Sequence, residues 1–180
     1  TNKSRLLTIN TSNGQTTAIG ATLTPALSGT TFGFDFNPTV DRIRLVSNNG
    51  QNLRLHPDLG PVAATDRNLN PGSPNITGAA YTNNTASATS TLLYVVDSET
   101  NMLYTQTPPN DGVLVSVGAL GINIEADNGF DIGGTSNSAF GLFTVNAAKG
   151  VYSINLMTGQ ATLVSNFQNN ITAMAVGLGF

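Results

Sequence analysis

Charge is scarce in this chain, and much of it gathers in FGFDFNPTVDRIRLVSNNGQNLRLHPD, residues 32–58. Asp35, Asp41, Arg42, Arg44, Arg54 and Asp58 lie there together with His56, the single histidine of the sequence. Side chains alternate across a β-strand, so in DRIRLVS Arg42 and Arg44 share one face while Ile43 and Leu45 share the other. In NLRLHP, Arg54 likewise points away from Leu53 and Leu55. If these strands are neighbours, three guanidiniums form one basic patch, with Asp35 and Asp41 available to pair with it. Arginine forks suit planar anionic groups, which makes Asp35, Asp41, Arg42, Arg44, Arg54 and His56 a candidate site for a carboxylate sugar or other small anion. The structural alternative is a set of cross-strand ion pairs and backbone-capping aspartates. It is favoured because GFD recurs, with Asp131 standing where Asp35 stands.

Other chemistries find less support. His56 precedes Pro57 and occupies the place of Asn10 and Asn155 in related segments, which suits a turn cap. One histidine cannot build a multi-histidine metal site, and no Gly-x-Ser-x-Gly elbow accompanies it. Asp127, Asn128 and Asp131, with Glu125, offer hard oxygen ligands for calcium, as do Asp35, Asn37 and Asp41. Neither group follows an EF-hand pattern, and Asx-rich turns arise for conformational reasons alone. A glycosidase needs two well-placed carboxylates. The only glutamates are Glu99 and Glu125, and Glu99 sits in DSETNM, a hairpin-turn pattern. No catalytic residue and no cofactor is assigned.

The elements that must position these residues follow from composition and periodicity. The 180 residues suffice for one domain with a core, and 39% are hydrophobic while only 9% are charged. Thr, Asn, Ser, Gln and Gly must therefore supply the polar surface. A formal charge of −3 gives little attraction to phosphate backbones, so nucleic acid is not an expected partner. No apolar run has the length of a membrane span. Cysteine is absent, which removes disulfides and thiol chemistry. Sequons at Asn2, Asn10, Asn75, Asn83 and Asn170 permit N-glycosylation in a secretory setting. The expected location is extracellular or at a cell surface.

RLLTINTSNGQTTAIG (Arg5 to Gly20) and GVYSINLMTGQATLVS (Gly150 to Ser165) align without a gap, placing Ile9 on Ile154 and Gly14 on Gly159. Weaker copies centre on Gly60 and Gly112, so the turn glycines are spaced by 46, 52 and 47 residues. A second element keeps the same step: GFDF at 33–36, GAAYTN at 78–83, GFDI at 129–132 and AMAVGLGF at 173–180. Small, apolar runs of this kind suit strands buried on both faces. Between the two elements sits a further strand: residues 41–47, 91–97 and 138–146. Each unit is thus four strands, and tandem units of this size are the pattern of a β-propeller. A β-sandwich or an open β-solenoid of the same strands is the alternative.

The units run over residues 32–66, 78–119 and 129–165, with a fourth made from 171–180 joined to 5–20. That fourth unit lacks a strand. An unpaired edge invites pairing with another chain, so a homo-oligomer or polymer is expected.

GTTFGFDFNPTVDRIRLVSNNGQNLRLHPD, AAYTNN, TQTPPNDG and GFDIGG resemble a family of secreted bacterial proteins defined by a domain of unknown function (DUF4394), over essentially the whole chain. The resemblance implies an exported, propeller-like β-repeat protein, often appended to surface-located polypeptides. It implies no activity and carries over no site residues. Family members have a further strand-rich unit ahead of the segment matching Arg5 to Gly20, and this chain begins without it. The functional expectation is a non-enzymatic extracellular assembly module, with a carbohydrate- or small-ligand-binding propeller as the alternative and a hydrolase as the weakest.

Overall fold

The computed structural model describes residues 4–167, 171–177 and 179. Fourteen strands account for its regular structure, with one 3-10 turn at Pro109–Asp111 and no α-helix among the described residues. A short hairpin comes first, β1 (Leu6–Ile9) with β2 (Thr16–Ile19). Unit 1 is the sheet β3 (Phe32–Asn37), β4 (Arg42–Ser47), β5 (Asn52–Leu55) and β6 (Val62–Thr65). Unit 2 is β7 (Ile76–Tyr81), β8 (Leu93–Asp97), β9 (Met102–Gln106) and β10 (Leu114–Ala119). Unit 3 is β11 (Gly129–Ile132), β12 (Ala139–Val145), β13 (Ala148–Ile154) and β14 (Ala161–Phe167). Each four-stranded sheet is an antiparallel meander in chain order, and none closes on itself. No helix among the described residues is long and apolar enough to cross a membrane.

The composition of the first strands explains how the units meet. All six residues of β7 are buried, so this strand has neighbours on both faces. A Cβ at Gly33 would stand 2.6 Å from the Ala79 Cβ; one at Gly78, 2.8 Å from the Phe130 Cβ; one at Gly129, 2.8 Å from the Met174 N. Each first strand therefore lies directly on the next, which only a residue without a side chain permits. The apolar cores lie between successive units. Leu6 and Leu23 join Ile43, Leu45, Leu53 and Leu55 in one cluster. Val46 joins Ile76, Ala79 and Val95 in the second. Val96 and Leu103 join Phe130, Phe143 and Ile154 in the third.

One local expectation is corrected. The run 173–180 was expected to form an inner strand, but residues 171–177 take no strand assignment, and Leu178 and Phe180 lie outside the described residues. Strand character requires a ladder partner, and among the described residues no strand pairs with this segment. Side chains hold the segment instead: the Asp131 Oδ2 accepts from the Val176 N at 2.5 Å, and the Lys149 Nζ donates to the Ile171 carbonyl. Asp111–Gly112 closes the 3-10 turn, with Gly112 at φ +66°.

Candidate functional site

Arg44 and Arg54 face each other across the β4–β5 ladder, as the alternation of their strands requires. Arg44 is only 2% exposed and is enclosed by acceptors. Its Nη1 donates to the Asn52 Oδ1 and the Asp66 Oδ2, each at 2.7 Å, and its Nη2 donates to the Asn110 Oδ1 at 2.7 Å. Its Nε points at the Tyr81 hydroxyl, 3.4 Å away. Arg54 grips the other side of Asp66 with both prongs, Nε to Oδ2 at 2.8 Å and Nη2 to Oδ1 at 2.9 Å. The buried Gln106 amide adds a bond to the Pro109 carbonyl at 2.7 Å. Burial alone would raise the Asp66 carboxyl, but the Arg54 and Arg44 guanidiniums outweigh it and hold the group below the usual carboxylate range. Asn110, Tyr81 and Gln106 belong to unit 2, so the network ties two sheets together.

The basic patch is therefore not the one expected. Asp66, which the sequence did not single out, pairs with both Arg44 and Arg54 in place of Asp35 and Asp41. Asp35 lies directly opposite Arg44 in the β3–β4 register, yet its carboxylate turns to the main chain. Asp41 is exposed, and Arg42 donates to the Asp41 carbonyl outside the cluster. His56 also stands apart: its Nδ1 accepts from the Asp58 and Leu59 N–H groups at 3.3 Å, inside its own turn. The signal that could have found Asp66 is weak, since it follows the last strand of unit 1 beyond a register shift at Arg54/Leu55.

A second constellation lies where the first strands meet. β3, β7, β11 and the segment 173–175 together line a cavity of about 310 Å³. Phe34 and Phe36 are exposed at its wall and meet edge to face, with centroids 6.3 Å apart. Two carboxylates line the same space, Asp35 and Asp131. Each accepts from its own following N–H, Phe36 and Ile132. Each also accepts from the next unit, the Tyr81 N at 2.6 Å for Asp35 and the Val176 N for Asp131. The repeated aspartate is thus a clamp between units rather than a cap within a turn. Burial pushes the Asp35 carboxyl up to about 7, against the N–H of Tyr81, and the nearby Asp131 charge adds to the rise. Burial also raises Asp131.

The calcium candidates do not converge. Asp131 is occupied as described, Asp127 is exposed, and the Asn128 amide nitrogen donates to the Thr77 hydroxyl at 2.7 Å. No group of three His, Cys, Asp or Glu among the described residues could hold a metal ion. Of the sequons, Asn10 is exposed in its turn. Asn75 is half-buried with its Nδ2 on Glu99, and Asn83 exchanges hydrogen bonds with Asn137. Asn2 and Asn170 lie outside the described residues.

No curated protein matches this chain. Residues 1–177 match the family described as Domain of unknown function (DUF4394), nearly the whole length, as FGFDFNPTVDRIR and the later motifs had implied. The chain belongs to that family.

Proposed function

We propose that the chain is a non-enzymatic extracellular structural module that self-associates through sheet pairing, its units set around a common axis in a propeller-like array. The observation that carries this is β14. It is the outer strand of unit 3, seven residues long, and six of the seven are exposed, Leu163, Val164 and Phe167 among them. An edge strand left long and apolar, with no charged residue in its sequence ATLVSNF, lacks the usual protection against pairing. The chemistry elsewhere supports a scaffold: Arg44 and Arg54 are engaged by internal acceptors, and the repeated aspartates clamp strands. The axial cavity favours the propeller-like arrangement, since four successive segments contribute to its wall. Negative-stain electron microscopy of purified protein tests the reading. Ordered polymers are expected; isolated single particles at every concentration would contradict it.

A second reading has its own observation. The cavity combines exposed Phe34 and Phe36 rings, two carboxylates and Asn128, whose buried Oδ1 has no hydrogen-bond partner. Aromatic faces beside hydrogen-bonding groups suit a small carbohydrate. Saturable binding on a glycan array, lost in Phe34→Ala, would establish it; a blank array would remove it.

A further inference from the structure

We propose that copies of this chain join head to tail, the β1–β2 hairpin of one molecule seating against β14 of the next. This rests on the self-association reading and specifies its two surfaces.

The contact in question already occurs three times inside the chain. A Cβ at Gly60 would stand 2.2 Å from the Ile19 carbonyl oxygen, one at Gly112 2.4 Å from the Asn68 oxygen, and one at Gly159 2.4 Å from the Gly118 oxygen. In each case the turn between the third and fourth strands of one unit presses on the last strand of the hairpin or unit before it, or, at Asn68, on the residues just past that strand. Backbone hydrogen bonds accompany the packing, from the Asn70 N to the Gly112 oxygen at 2.8 Å and from the Ala161 N to the Leu120 oxygen at 2.9 Å.

One turn and one last strand lack such a contact among the described residues. Gly14 has the same left-handed backbone as the other three turn glycines, φ +73°, yet nothing among the described residues approaches within 4 Å of where its Cβ would be. The apolar residue five before the turn glycine reports the same asymmetry at Gly60 and Gly159, while Gly112 has the exposed Thr107 in that place. Leu55 and Ile154 are 1% and 6% exposed because the preceding unit covers them, whereas Ile9 is 65% exposed. At the other end Val164 is 58% exposed on β14, against which no sheet packs on the outer side among the described residues. Each open surface has the shape that the other's counterparts bind within the chain. The hairpin is already fixed to unit 1, with Leu6 and Leu23 buried there. A second copy can therefore supply each missing partner without disturbing any internal contact. Because the two surfaces differ, the contact is heterologous and propagates rather than closing as a two-fold dimer.

Sedimentation velocity over a range of concentrations tests this with wild type, Ile9→Asp, Val164→Asp and an equimolar mixture of the two variants. Both positions are exposed, so the variants should melt with the wild type. Thr11→Arg and Ser165→Arg, at neighbouring exposed positions, replace them should either melt early. Wild type is expected to grow with concentration, each variant alone to lose all association, and the mixture to recover dimers but nothing longer. Dimers form because the Val164→Asp chain keeps an intact hairpin and the Ile9→Asp chain an intact β14. Variants that polymerise like wild type would overturn this interface while leaving self-association standing. A mixture that stays monomeric would overturn the head-to-tail geometry. A wild type monomeric throughout would remove the self-association reading as well.

Discussion

The two junctions between the four-stranded sheets share apolar clusters and cross-unit hydrogen bonds, and differ in that one of them also holds buried charge. Units 2 and 3 meet through an apolar cluster in which Val96 and Leu103 of unit 2 join Phe130, the fully buried Phe143 and Ile154 of unit 3. Units 1 and 2 share an apolar cluster too, but beside it runs the Arg44–Asp66–Arg54 network with Asn52, Asn110 and Gln106. An apolar junction tolerates small sliding because dispersion and burial are non-directional. A buried guanidinium with three acceptors fixes position, because a lost partner leaves a charge or amide unsatisfied in a dry site. The charged network therefore adds a directional constraint between units 1 and 2 to the burial that both junctions share.

Two substitutions separate these roles. Asp66→Ala strips the buried Arg44 of its carboxylate and should cost about 3–5 kcal/mol, read from urea unfolding. Replacing both ends, Arg44→Met with Asp66→Leu, should recover part of that loss, because no buried charge then lacks a partner. Phe143→Ala should cost a similar amount, about 3–5 kcal/mol, through lost burial and a cavity. Acid distinguishes the two. Asp66 is held below its ordinary pKa, so its contribution is present above the unfolded value and fades as pH falls through the folded one. The penalty of Asp66→Ala should shrink on acidification, while that of Phe143→Ala stays level. Equal shrinkage for both would erase the contrast.

A smaller effect concerns the aspartate clamps. Asp35 titrates at about 7 in the folded protein, well above its ordinary value of 3.8. The folded state therefore holds this proton more tightly than the unfolded state. The associated stability is fully present below 3.8 and is lost as pH rises towards 7. Thermal melts should fall between pH 4.5 and 7.5, and Asp35→Asn should flatten most of that slope. Asp131 is raised in the same sense and leaves a residue of it. A wild-type melt that rises over this window would contradict the assignment.

The repeat was legible in the sequence because its causes are local. Turn glycines at φ +73°, +81°, +66° and +83° recur at nearly even steps, and alternation places Arg44 beside Arg54. What stayed hidden depends on contacts between units. Asn110 meets Arg44 from 66 residues away, and Asp35 is satisfied by a backbone N–H, which leaves no mark on residue type. Ile9 and Ile154 sit in nearly identical sequence, yet one is exposed and the other buried, since burial depends on whether a unit precedes them. The final segment carries an inner-strand composition without the partner that would make it a strand.

Covalent trapping tests head-to-tail assembly most directly, because the chain contains no cysteine to confuse it. Thr11→Cys and Ser165→Cys in one molecule place a thiol on each open surface. Mild oxidation should give a ladder of covalent multimers that collapses to monomer on reduction. A single monomer band, whether free or crosslinked within itself, would contradict the assembly.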